Sequence, residues 1–191
     1  MSKPCMCGSG RPFAHCCDPY LKGIARRVDG GNKFAPTAEA LMRSRYTAFV
    51  IGDIDYLLAT HHADYRSNDY TSLQQTIRTI QWTNLIVLGT QKGQRKDKSG
   101  TVEFVAAYRS QMLDPLSTAL NSQEASEKVS EKAWDESILD SLCQLHEKSQ
   151  FVHEGSQWFY TQGECLPPYQ PKRTQPCWCG SSLKFKQCHG S

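Results

Sequence analysis

At 191 residues the chain is long enough for one core of ordinary domain size plus small appendages, and too short for two full domains as the default. A hydrophobic content of 39% and a mean hydropathy of -0.55 describe a water-soluble chain, and no apolar run approaches the roughly 18 residues that cross a bilayer. The net charge of +3 hides a division: residues 1–34 carry six Lys/Arg against two Asp, residues 165–191 four against none, and the middle twelve against seventeen Asp/Glu. Basic ends suit phosphate, an acidic protein, or the thiolate charge of metal sites of their own. The opening Met-Ser-Lys-Pro-Cys lacks the basic-then-apolar pattern of a secretory leader, so the expected compartment is the reducing cytoplasm. The nine cysteines then need an explanation other than disulfides.

The first element is Pro4-Cys-Met-Cys-Gly-Ser-Gly-Arg-Pro-Phe-Ala-His-Cys-Cys17, and the same unit returns as Pro176-Cys-Trp-Cys-Gly-Ser-Ser-Leu-Lys-Phe-Lys-Gln-Cys-His189. Eight residues separate the second and third cysteines in both copies, enough chain to fold back over an ion. Zinc takes closed tetrahedral sets of four cysteines, or three cysteines and a histidine, so the predicted ligands are Cys5, Cys7, Cys16 and Cys17 at one end and Cys177, Cys179, Cys188 and His189 at the other. The exchange of Cys17 for His189 preserves a zinc ligand and would defeat a disulfide. Adjacent residues such as Cys16 and Cys17 have Cα atoms about 3.8 Å apart, below the roughly 4.4 Å that a bridge needs. A redox dithiol fits the duplicated Cys-x-Cys less well than metal capture does. Gly8 and Gly180 are placed for a tight turn, and Phe13 and Phe185 supply one apolar anchor each.

Both ends resemble the SEC-C motif, a short zinc unit also found at the C-terminus of the bacterial preprotein translocase ATPase. Ser182 stands where that motif usually has glycine, and Pro12 interrupts the basic run of the first copy. The resemblance implies a surface that meets a protein or ribosomal partner, built from Lys184, Phe185, Lys186 and Trp178 at one end and Arg11 and Phe13 at the other.

After Gly30-Gly31-Asn32, Thr37 is placed to cap a helix with Met42, Tyr46 and Phe49 on one face and Gly52 at its end. Asp53 caps a short second helix through Tyr56, Leu57 and Leu58, and Ser72 with Gln75 reads as a capping box before Leu73, Ile77 and Ile80. The period then changes to two: strands are predicted over Trp82–Thr90 and Thr101–Arg109, joined by a loop rich in Lys and Gly. A second hairpin is predicted over Gln144–His153 and Gln157–Thr161, turning at Glu154-Gly155, after a polar insert over 113–142. Helices followed by antiparallel strands predict an α+β fold whose sheet curls around a helix face. The expected organisation is a zinc motif over 1–20, a central domain over 35–164 and a second zinc motif over 171–191.

The segment Leu41-Met-Arg-Ser-Arg-Tyr-Thr-Ala-Phe49, the run Gly52-Asp-Ile-Asp-Tyr-Leu57, and Glu147, Ser149, Phe151, Trp158, Tyr160 and Gly163 resemble the YchJ family of bacterial proteins. That resemblance implies a central cone like nuclear transport factor 2, and it implies no biochemical role. Such cones often enclose a pocket, but fold does not decide function. Candidate polar groups for one are Arg43, Arg45, Tyr46, His61, His62, Glu147 and His153. Arg43 and Arg45 lie on different helix faces, so at most one reaches a pocket. His61 and His62 read as helix-end or surface residues, and Glu147 and Ser149 alternate onto one strand face. No catalytic residue is assigned, and Cys143 and Cys165 receive no role unless Cys165 replaces His189. The leading expectation is a zinc-bearing module that binds a protein through its basic ends; the alternative is an enzyme or small-ligand receptor using the central pocket, which buried, convergent acid and base groups would favour. Nucleic-acid binding by the ends is a third, disfavoured by the modest overall charge.

Overall fold

The structure, a computed structural model, describes residues 3–25, 33–67, 69–110 and 142–190. The first cysteine unit leads into α1 (Asp18–Ala25), which the sequence reading did not anticipate: Asp18-Pro19 is a helix-start signature, but eight residues with Gly23 among them carry little periodicity. α2 (Ala38–Ile51) begins where Thr37 accepts a hydrogen bond from the Ala40 amide at 3.1 Å and stops at Gly52, whose φ of 79° is left-handed. α3 (Ile54–Ala59) is capped by Asp53, which accepts from the Tyr56 amide at 2.9 Å.

α4 (Tyr70–Thr79) starts a turn earlier than expected. Its cap is Asp69, whose carboxylate accepts from the Ser72 amide at 2.8 Å while Ser72 Oγ accepts from the Asp69 amide at 3.1 Å. Ser72 is therefore the third helical residue, paired back to a stronger capping residue rather than acting as the cap. Ile80 is a correction too, because the helix ends at Thr79 and Ile80 opens β1.

Four strands follow: β1 (Ile80–Lys92), β2 (Ser99–Ser110), β3 (Leu142–Glu154) and β4 (Gln157–Cys165). They form one antiparallel sheet in the order β1-β2-β3-β4. Each strand outruns its apolar alternation because backbone pairing continues through polar positions, as at Lys92 opposite Gly100. Register shifts between Trp82 and Asn84, Val87 and Gly89, and Ser149 and Phe151 add the local bends that curl a sheet. The polar insert expected over 113–142 lies outside the described residues except Leu142, which starts β3.

β2 is covered on both faces, which is why its burial does not alternate cleanly. On one face Phe104 and Ala106 share a core with Leu41, Met42, Tyr46, Tyr56 and Leu57 of α2 and α3, and the four cysteines of the first unit belong to that core. On the other face Val105 and Ala107 are fully buried against Cys177 and Trp178 of the second unit. The two cysteine units thus cap opposite sides of one sheet. No described helix is long and apolar enough to cross a membrane.

Candidate metal centres and a polar-lined cavity

Each cysteine unit folds the same way. Pro4 bridges to Pro12 and Pro176 to Lys184, bringing the two arms together. The Cys5 amide donates to Arg11 O and the Cys177 amide to Leu183 O, both at 2.8 Å. A single turn of 3-10 helix, Phe13–His15 or Phe185–Gln187, then delivers the second ligand pair. Gly8 (φ 70°) and Gly180 (φ 81°) occupy the left-handed turns that follow Cys-x-Cys. The sequence reading missed the serine of the Cys-Gly-Ser core: Ser9 Oγ lies 3.1 Å from Cys16 Sγ and Ser181 Oγ 3.5 Å from Cys188 Sγ. A recurring hydroxyl two residues past Cys-x-Cys was its signal, a polar group that steadies a thiolate from outside the ligand set.

The donor atoms of Cys5, Cys7, Cys16 and Cys17 all lie within 4.8 Å of one another, as do those of Cys177, Cys179, Cys188 and His189. Cys7 and Cys16 sulfurs are 3.5 Å apart, Cys16 and Cys17 sulfurs 3.9 Å, and Cys179 and Cys188 sulfurs 3.6 Å. A tetrahedron with metal–sulfur bonds of about 2.3 Å has edges of roughly 3.8 Å, so both sets fit a small tetrahedral cation. His189 Nδ1 completes the second set at 3.3 Å from Cys177 Sγ and 3.2 Å from Cys188 Sγ, with its ring held 4.5 Å from that of Trp178. Crowding splits the thiols of the first set: the Cys17 hydrogen bond pulls Cys7 down to about 4, while Cys17 is pushed well up by that same bond and by burial.

The environments of the two centres differ. All four cysteines of the first are buried, whereas in the second Cys177 is buried, Cys179 and Cys188 are half-buried and His189 is exposed. Arg43 braces the first, donating from Nη1 to Cys7 O and from Nε to Glu39, both at 2.8 Å. Asn84 Nδ2 braces the second by donating to Trp178 O at 2.9 Å. Trp178 is only 5% exposed, so the expected surface role for that ring is corrected: it packs against the outer face of the sheet. Cys165 lies on β4 opposite Glu147 and belongs to neither cluster.

Between α2, α4 and the helix-side face of the sheet is a cavity of about 320 Å³, lined by Met42, Arg45, Tyr46, Phe49, Leu73, Thr76, Ile80, Trp82, Phe104, Ala106, Leu145, Glu147, Ser149, Phe151 and Tyr160. Of the candidate polar groups, Arg45, Tyr46 and Glu147 reach it. The others do not: Arg43 turns to the first cysteine unit, His61 donates to Thr161 O at 3.1 Å, His62 pairs with Glu154 at 3.0 Å, and His153 stacks on Trp158 at 4.7 Å.

Arg45 is 8% exposed and donates twice from Nη1, to Leu57 O and to Thr60 Oγ1, both at 2.7 Å. Its guanidinium lies 4.7 Å over the Tyr160 ring, and burial pushes its pKa down to about 10. Burial pushes the Glu147 carboxyl up, against the opposing pull of its short hydrogen bond from Ser149 and of Arg45. Trp82 Nε1 is buried without a hydrogen-bond partner. Tyr160, Trp82 and Thr60 were not singled out as pocket residues, because nothing local to them says that they meet Arg45.

Residues 37–163 match the family described as YchJ, middle NTF2-like domain, and residues 1–19 and 173–191 match the SEC-C motif. The chain is 34% identical to the UPF0225 protein plu2503 of Photorhabdus laumondii over 100% of both chains, and 31% identical to the UPF0225 protein GSU1048 of Geobacter sulfurreducens, again over 100% of both. A SEC-C motif containing protein from Rhodopseudomonas palustris, solved in solution, superposes with a TM-score of 0.62 at 28% identity, covering 86% of this chain and all of that one. A crystal structure of a SEC-C motif containing protein from Psychrobacter arcticus shares the fold at a TM-score of 0.58 and 24% identity, covering 100% of this chain and 96% of that one. With its middle domain and both flanking motifs matched, the chain belongs to the YchJ family.

Proposed function

We propose that each cysteine cluster holds one structural Zn2+ and that the protein is a receptor for a small ligand bound in the central cavity. Four protein donors per cluster leave no open position for water or substrate, so the zinc would shape and stabilise rather than react. The observation that carries the receptor reading is the convergence of buried Arg45 and Ser149 with half-buried Glu147 and Tyr160 on one otherwise apolar cavity. Small-molecule sites combine apolar walls with a few fixed polar groups in this way. Elemental analysis of protein never exposed to chelator should give two zinc ions per chain, and zero or one would remove one or both centres from the proposal. A thermal-shift screen of aromatic and aliphatic fragments should return binders whose effect vanishes in Thr76→Trp, which fills the cavity from α4. Binders that ignore that substitution, or none at all, would sink the receptor reading.

A second reading rests on the exposed side of the C-terminal unit, where Leu183 is 49% exposed beside exposed Lys184 and Lys186, with Lys172 and Arg173 also exposed. That patch suits an acidic protein surface. Under this reading the pair Lys184→Glu and Lys186→Glu should weaken capture of an acidic partner at least tenfold without changing zinc content or thermal midpoint; unchanged capture would count against it.

A further inference from the structure

We infer that the ligand of the cavity is a small monocarboxylate with a flat apolar body, its carboxylate facing Arg45; the inference rests on the receptor reading above. The cavity is graded across the sheet. Arg45, Glu147, Ser149 and Tyr160 stand at the end formed with β3 and β4, while Trp82 of β1 and Leu73 of α4 stand at the other.

The strongest polar group is a buried cation that feels the Glu147 carboxyl without pairing with it. No ion pair joins Arg45 to a carboxylate among the described residues, and both of its hydrogen bonds leave from Nη1. A buried cation left in that condition is costly, and an arriving carboxylate removes the cost with charge-assisted, two-pronged hydrogen bonds.

Glu147 does not fill that role. Its Oε1 is taken by the Ser149 hydroxyl, and burial pushes its carboxyl up against the opposing pull of Ser149 and Arg45. At the far end the Tyr46 and Phe49 rings lie 6.2 Å from Trp82, a wall for a flat apolar group, and Trp82 Nε1 is the unpaired donor there. No lining residue at that end carries a charge, which argues against a dicarboxylate spanning the cavity. The volume, about 320 Å³, sits at the small end of ligand sites, which start at about 300 Å³.

The test uses the full-length, metal-loaded protein and calorimetry with phenylacetate, 3-phenylpropionate and 4-phenylbutyrate, each paired with its primary amide. At least one acid should bind at least tenfold more tightly than its amide. The preference should fall to near unity in Arg45→Met, persist in Glu147→Gln and be lost with all binding in Thr76→Trp. Should Arg45→Met not fold, the other two variants carry the test. Amides that bind as well as the acids, or an acid preference that appears only in Glu147→Gln, would overturn the inference, because Glu147 would then be the anion that neutralises Arg45. Either of those results would leave the receptor reading standing. Failure of every acid and every amide would overturn the inference, and the fragment screen above would decide the receptor reading.

Discussion

Replacing Cys7 by serine is expected to unfold the whole central domain, whereas Cys188→Ser should release only the C-terminal unit. Cys7 is fully buried, and its cluster shares one core with Leu41, Tyr46 and Leu85. A structural zinc site contributes about 10–16 kcal/mol in isolated zinc-finger peptides, comparable to the roughly 5–15 kcal/mol that separates a whole domain from its unfolded state. With the proposed cation bound there, losing Cys7 would leave three buried thiols crowded together without it, and the core could not reclose around them. At Cys188 the surroundings are half open, and the chief loss is the cover over Val105 and Ala107, about 2–3 kcal/mol for a few small apolar side chains. Zinc analysis, circular dichroism and hydrogen exchange on the two variants check this. Cys188→Ser should keep one zinc and a cooperative melt with strands β1 to β4 protected; equal collapse of both variants would contradict the asymmetry.

The second large effect is expected at Gly8. A Cβ there would come within 2.5 Å of the Leu85 carbonyl oxygen, a backbone atom that cannot step aside, and φ is 70°. Gly10 has nearly the same φ, 72°, with nothing within 4 Å of its own Cβ position, so it isolates the conformational part. Gly10→Ala should cost about 1 kcal/mol, the usual penalty for a side chain in the left-handed region. Gly8→Ala should cost about 3 kcal/mol or more, since overpacking adds to the same penalty. Urea unfolding of the two variants measures the difference, and equal midpoints would mean that the first unit is not seated on β1 as described.

The features legible in the sequence were those that rest on neighbours along the chain. The gathering of each cysteine cluster, the Thr37 and Asp53 caps, the Gly52 stop and both hairpin turns depend on residues within about a dozen positions of one another. What stayed hidden depends on distance. Arg45 could be placed on a helix, but its meeting with Glu147 and Tyr160 waits on how α2 crosses the sheet. Trp178 looks like a surface aromatic between two cysteines, and only the fully buried Val105 and Ala107 explain why it faces inward. α1 lacked periodicity, and the α4 cap was displaced because Asp69 and Ser72 satisfy one another in a pattern that Ser72 and Gln75 only imitate. Asn84 gave no signal as the residue that holds the second unit.

Gly8 and Gly180 press on consecutive residues of β1, Leu85 and Asn84. Read in order of synthesis, that arrangement separates the two contacts in time. The first unit and its docking strand leave the ribosome within some eighty residues of one another, while the Asn84–Trp178 bond spans 94 positions and forms only after every strand has been made. Until then Val105 and Ala107 lack Cys177 and Trp178, and an incompletely covered apolar strand face invites pairing with other chains. The late-made unit therefore supplies the last contacts over that face.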